Sequence, residues 1–153
     1  MATQEQLSTK LRQLGIRLTP QRLAIAEVVV NSGDHPSVKD IYERVKAFFP
    51  YVTLATVYST LEVLERAGLV RQLPFQRLSR YDANLDPHAN LVCLSCGTVV
   101  DADVGQRMVI ELQKVVEHNS AFEVAARRVD FYGWCYGCSP KRPSYDIQPP
   151  WVI

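Results

Sequence analysis

The chain has 153 residues, 47% hydrophobic and 22% charged, a balance that fits a folded globular protein and excludes a low-complexity polymer. No apolar run is long enough to read as a membrane span. The net charge of +1 divides unevenly: residues 1–82 carry 11 Lys/Arg against 8 Asp/Glu (+3), and residues 83–153 carry 6 against 8 (−2), so two modules with different partners are expected.

In chain order, Thr3-x-x-Gln6 is a capping-box pattern, Leu7, Leu11 and Leu14 follow at helical spacing, and Gly15 stops the run. Thr19-Pro20 opens a second helix with Leu23, Ala26, Val29 and Val30 as its apolar stripe. Ser37 caps a third, with Ile41, Val45 and Phe48 inward and Pro50 ending it. Thr53 caps a fourth, with Leu54, Val57, Leu61 and Leu64 on one face and Gly68 at its end. Residues 69–73 and 78–82 then read as two short strands around Pro74-Phe75-Gln76. Helices followed by a basic hairpin outline a winged helix-turn-helix. Thr56, Ser59 and Arg66 point away from the stripe of the fourth helix, with Tyr58 on its flank, as a major-groove reader requires. Arg17 and Arg22 flank the start of helix two, and Arg71, Arg77 and Arg80 decorate the wing, where arginines hold phosphate or enter the minor groove. The same residues are also what the outside of any amphipathic helix carries, and Tyr58 alone fits a half-buried packing role.

The second half is marked by Cys93-Leu94-Ser95-Cys96 and Cys135-Tyr136-Gly137-Cys138, and the chain has no other cysteines. Two Cys-x-x-Cys turns supply the four soft ligands of a closed, tetrahedral zinc site. Gly97, Gly133 and Gly137 beside them let backbone amides approach sulfur. Two disulfides or a thiol switch are the alternatives. The polar opening Met1-Ala2-Thr3-Gln4-Glu5 lacks the apolar stretch of a secretory signal, so a cytoplasmic, reduced chain and hence metal is the expected reading.

Read together, these segments resemble the ferric uptake regulator family. The resemblance rests on Leu18-Thr19-Pro20-Gln21-Arg22, His35-Pro36-Ser37, Asp40-Ile41-Tyr42, Ala55-Thr56-Val57-Tyr58, Ala67-Gly68-Leu69-Val70, the run from His88 through Cys93 and Cys96 to Gly97, and Tyr132-Gly133-x-Cys135-x-x-Cys138. It implies an α+β protein: a winged helix-turn-helix over residues 1–83 that binds duplex DNA, a hinge at 84–88 containing Asp86-Pro87, an α/β domain over 89–140 that forms a homodimer, and a tail at 141–153. Strands are expected near 90–94, 98–102 and 123–134, covered by a helix on which Met108, Leu112, Val115 and Val116 repeat. Cys93, Cys96, Cys135 and Cys138 match the family's structural zinc ligands.

The resemblance also implies a regulatory divalent metal between the two domains. The matching positions are His35, Asp82, His88 and Asp101, and Asn90 stands where the family commonly has a second histidine. An amide oxygen is a weaker ligand than imidazole for zinc or iron, so the set suits Fe²⁺ or Mn²⁺. Pro87, Ala89 and Arg127 depart from the family's additional metal site, and none is expected. His118, late in its helix, reads as a dipole-favoured surface histidine. Aspartate at both acid positions resembles the peroxide-responsive branch, in which Fe²⁺ reacts with hydrogen peroxide, a ligating histidine is oxidised and DNA is released; the rings aligned with that chemistry are His35 and His88.

The expected function is a cytoplasmic, homodimeric, metal-dependent repressor without catalytic activity or small-molecule substrate, sensing peroxide or, alternatively, iron or manganese supply. A zinc-dependent hydrolase built on His35, Asp82 and His88 is a rival of another class, lacking an obvious general base. A zinc ribbon that binds protein is a third reading, and salt-dependent DNA binding separates it. Trp151, Val152 and Ile153 in the tail are apolar enough to seek a surface groove.

Overall fold

The computed structural model describes residues 3–74 and 79–141. The chain divides into two compact units, Met1–Leu85 and Asp86–Ile153.

In the first unit, four helices precede a two-stranded wing: α1 (Gln4–Gln13), α2 (Pro20–Val30), α3 (Val38–Lys46), α4 (Leu54–Arg66), β1 (Arg71–Leu73) and β2 (Arg80–Asp82). Each helix begins at an extended residue whose hydroxyl accepts a backbone amide: Thr3 from Gln6, Thr19 from Arg22, Ser37 from Asp40 and Thr53 from Thr56. Thr3 and Ser37 complete reciprocal capping boxes. One continuous core joins Leu7 and Leu11 of α1, Ile25, Ala26 and Val29 of α2, Ile41 and Val45 of α3, and Val57, Leu61 and Leu64 of α4. Of the expected stripe of α2, Ala26 and Val29 are buried and Leu23 and Val30 pack partly covered against the core, and Ile25 is a buried residue the pattern missed. Phe48 does not point inward. Helix α3 ends at Lys46, and the turn beyond it brings the partly buried Phe49 onto the core while Phe48 is left 79% exposed. Leu14 and Leu54, at helix ends, are likewise exposed.

The wing strands are antiparallel, Arg71 opposite Asp82. A bridge from Ser37 to Arg80 and a 3.0 Å bond from the Tyr81 amide to the Pro36 carbonyl join β2 to the segment leading into α3. The turn of the wing, including Arg77, lies outside the described residues.

The second unit holds β3 (Ala89–Cys93), β4 (Val99–Ala102), α5 (Gln106–His118), β5 (Val129–Gly133) and a 3₁₀ turn, Ser139–Lys141. Sheet order is β4-β3-β5; β4 runs antiparallel and β5 parallel to β3. The expected strand over 123–134 shrinks to β5. Helix α5 lies where its periodicity puts it but does not cover the sheet with the expected stripe: Val109 is its buried residue, while Met108, Leu112, Val115 and Val116 are exposed. The apolar residues buried in this unit are few: Ala89, Val92, Cys93, Val99 and Val109 among the described residues. Cores this small ordinarily need a metal, a cross-link or a partner. No helix among the described residues is long and apolar enough to cross a membrane.

Candidate metal centres and nucleic-acid interface

The parallel register of β3 and β5 sets Cys93 opposite Gly133, so both Cys-x-x-Cys turns fall at the same end of the sheet although far apart in the chain. Each turn closes on its own backbone: Gly97 donates to the Cys93 carbonyl and Cys138 to that of Cys135, both at 2.9 Å. Gly97 takes φ +71°, a left-handed conformation that a Cβ would strain. The four sulfurs lie within 4.8 Å of one another, with Cys96 and Cys135 at 3.8 Å. A disulfide needs about 2.0 Å. Tetrahedral zinc with bonds of about 2.3 Å needs edges of about 3.8 Å. The cluster fits a closed four-thiolate metal site, and all four cysteines are free.

The local electrostatics suit a cation. Burial pushes the Cys93 thiol up, but amides of Cys135, Cys96 and Ser95 outweigh it and hold the thiol down at about 6. The Thr98 hydroxyl, 3.2 Å from the Cys96 sulfur, draws that thiol down as well. A hydrogen bond with Ser95 favours the Cys138 thiolate, yet the crowding of Cys135 and Cys96 pushes its thiol up to about 11. Four sulfurs this close cannot all ionise without a positive charge among them.

The histidines and acids form one group in each unit. In the first, His35 and Asp82 are both buried, with Nε2 3.6 Å from a carboxylate oxygen. His35 is the one non-glycine residue among those described with positive φ, at 48°. A histidine held there costs on the order of 1–3 kcal/mol. The Arg80 guanidinium holds the turn by donating to the His35 carbonyl at 3.2 Å, and it also lies 3.5 Å from Asp40. Arg80 is thus turned inward as a brace for His35, and does not extend from the wing as expected. In the second unit, His88 Nε2 is 3.6 Å from an Asp101 oxygen, and its Nδ1 is 2.8 Å from the Asp86 carbonyl. Asn90 lies opposite Asp101 in register and is buried. An imidazole beside a carboxylate, in each unit, is a donor pair fit for a first-row divalent metal. His118 is the last residue of α5.

On α4, Tyr58 and Ser59 face solvent and Thr56 is partly covered. Thr56 lies 3.0 Å from the Thr53 hydroxyl in the cap, and Ser59 donates to the Thr56 carbonyl, so both hydroxyls already serve the helix. Arg66 pairs with Glu62. Arg22 donates to the Arg17 carbonyl at 2.7 Å, fixing the turn before α2, whereas Arg17 and Arg71 are exposed. Tyr51, just ahead of α4, is 91% exposed and was not singled out by the sequence pattern. An aromatic between a proline and a helix cap was the available clue. A second unrecognised residue is Asp130 on β5, at the centre of a hydrogen-bonded network with Asn90, Arg128 and Tyr132. The alternation of polar Arg128, Asp130 and Tyr132 with Val129 and Phe131 was its trace in the sequence.

A winged helix joined to a small α/β unit with a four-cysteine metal cluster and two histidine–carboxylate pairs defines a class: metal-responsive transcription regulators. The model of the ferric uptake regulator family matches residues 13–132, and the chain belongs to that family. It is 36% identical over 138 residues to the peroxide-responsive repressor PerR of Staphylococcus aureus (strain Mu50 / ATCC 700699), covering 90% of this chain and 92% of the relative. Among solved structures it resembles a zinc-bound manganese uptake regulator (29% identity, TM-score 0.67, 84% of this chain and 98% of the other). It also resembles the Campylobacter jejuni peroxide stress regulator (26% identity, TM-score 0.68, 90% and 100%).

Proposed function

We propose that the chain is a homodimeric, metal-dependent repressor that binds duplex DNA through residues 1–83, pivots at 84–88, and dimerises through 89–140. Its structural zinc is held by Cys93, Cys96, Cys135 and Cys138. Its regulatory Fe²⁺ or Mn²⁺ is shared between the domains by His35, Asp82, His88, Asp101 and Asn90. The observation that carries this reading is the pair of histidine–carboxylate groups, one in each unit, at positions matching a family in which this chain is 36% identical to a peroxide-responsive repressor. A cation shared by both groups stabilises the arrangement of domains that brings them together, and by linkage DNA affinity rises with metal. The apolar side chains left exposed on α5, with Leu91, Val100 and Phe131 on the sheet, supply the dimer contact.

Peroxide sensing follows from the same residues. Fe²⁺, when bound, would open the peroxide O–O bond and be returned as Fe²⁺: one oxygen would enter a C–H bond of the His35 or His88 ring, which gives up the two electrons, and the other would leave as water. A ring modified in this way would lose its hold on the site. Mass spectrometry of Fe²⁺-loaded protein after peroxide should find one added oxygen on a peptide carrying His35 or His88, and none on Mn²⁺-loaded protein. Oxidation confined to the cysteines would replace this reading with a thiol switch. No oxidation, with metal-dependent DNA binding intact, would establish the second reading, a regulator of iron or manganese supply. Asn90 favours that alternative, because an amide in place of imidazole changes the ligand field on which iron reactivity depends.

For DNA, α4 is the reading helix, with the exposed Tyr58 as its base-edge contact, Thr56 and Ser59 beside it, and Arg17 and Arg22 at the backbone. Tyr58→Ala should weaken binding to the specific site by about 1–3 kcal/mol while leaving the fold unchanged. Arg17→Ala should weaken all sequences alike and reduce the salt slope by about 1. Both are checked by fluorescence anisotropy across a salt series; two variants that bind as wild type would move the reading surface elsewhere.

A further inference from the structure

Asn90 is 1% exposed and occupies the centre strand of the second unit. Its in-register neighbours are Asp101 on β4 and Asp130 on β5. Residues directly opposite on adjacent strands share a face, as do residues two apart along a strand. Asp101, Asn90 and Asp130 therefore form a row across the sheet, with His88 on the same face.

The Asn90 amide nitrogen donates to Asp130 Oδ1 at 3.0 Å. An ionised carboxylate only accepts, so the amide must turn its NH₂ group toward Asp130. That choice settles which end of the carboxamide is oxygen. The oxygen is then directed away from Asp130, fully buried, with no hydrogen-bond partner among the described residues. Asp130 cannot easily turn to release it. Its Oδ2 accepts from Arg128 Nε at 2.8 Å and from the Tyr132 hydroxyl at 3.3 Å. A network serving only to fasten β3 to β5 gives no reason to bury an unpartnered carbonyl oxygen, which native proteins generally avoid.

We propose that Asp130 is a positioning residue that fixes the Asn90 side-chain oxygen as a ligand of the regulatory cation, and that this oxygen biases the site toward Mn²⁺. The proposal rests on the metal-dependent reading above. Outer-sphere carboxylates orient direct ligands in this way. With Asn90 the donors are two imidazoles and three oxygens; with histidine at position 90 they would be three imidazoles and two oxygens. Oxygen donors suit Mn²⁺, while imidazole favours cobalt and zinc.

The test uses full-length protein with its structural zinc in place. Mn²⁺ binding is followed by loss of the aqueous Mn²⁺ EPR signal, and Co²⁺ binding by visible absorption. Asp130→Ala should weaken Mn²⁺ binding about 10–100-fold without changing zinc content. Asp130→Asn, nearly the same shape, should also weaken it and serves if the alanine variant fails to fold. Asn90→His should shift the Mn²⁺/Co²⁺ affinity ratio toward Co²⁺ and alter the Co²⁺ spectrum, changes that general destabilisation would not produce. Wild-type Mn²⁺ affinity in the Asp130 variants, or an unchanged ratio in Asn90→His, overturns the proposal and leaves the metal-dependent reading standing. A folded wild-type protein that takes up no Mn²⁺ or Co²⁺ beyond its zinc overturns both.

Discussion

Cys96→Ser is expected to lose its zinc, to melt well below the wild type, and to sediment as a monomer. Among its described residues the second unit has few buried apolar side chains, so the metal is expected to supply much of the free energy that folds it. Closed zinc sites in small domains contribute on the order of 10 kcal/mol or more, comparable with the whole stability of a domain. Removal of one ligand should therefore unfold the unit rather than soften it. Atomic absorption, sedimentation velocity and thermal melting give the three readouts. A chelated protein that stays dimeric with an unchanged Tm would refute the structural role.

The same site carries a proton signature. In the folded unit the Cys93 thiol is held down from 9.0 to about 6. Zinc binding coupled to folding should then release protons from all four thiols at pH 7, measurable by calorimetry in buffers of different ionisation enthalpy. The folded state favours the Cys93 thiolate, so this contribution is full above pH 9 and is lost as pH falls through about 6. Zinc affinity should weaken with acid in the same direction, because protons compete for sulfur.

What could be read in advance divides by the range of the interactions that decide it. The helix starts at Thr3, Thr19, Ser37 and Thr53 were legible because a cap is local chemistry, a hydroxyl meeting an amide three residues on. The cysteine cluster was legible because its spacing is a ligand pattern. Phe48 and Phe49 were not, because extending the period of α3 past Lys46 puts the wrong ring inward once the helix ends. The stripe of α5 was recognised as apolar, but periodicity does not say whether a face meets its own sheet or another surface. The row formed by Asp101, Asn90 and Asp130 needs the register of three strands, and register is set by pairings distant in sequence. Arg80 shows the same limit: composition made it a wing cation, and the bridge between Ser37 and β2 turned it onto the His35 carbonyl.

His88→Ala is expected to abolish metal-activated DNA binding while retaining full zinc content. The cysteine cluster contains no histidine, so the two metal functions separate cleanly in this variant. Loss of an outer-sphere partner alone costs about 10–100-fold in metal affinity, so loss of a direct imidazole should cost on the order of 100-fold or more. The zinc-loaded variant should then bind its operator no better with Mn²⁺ or Fe²⁺ than without. His35→Ala, in the first unit, should behave alike, with an added release of the left-handed turn that Arg80 braces. His118→Ala, at the end of α5, is the control and should respond to metal as the wild type does. Operator affinity measured against a metal titration in these three variants decides the matter. A His88→Ala protein that is still switched on by metal would remove this residue from the sensor, and with it the idea that a cation shared by the two domains controls the DNA-binding state.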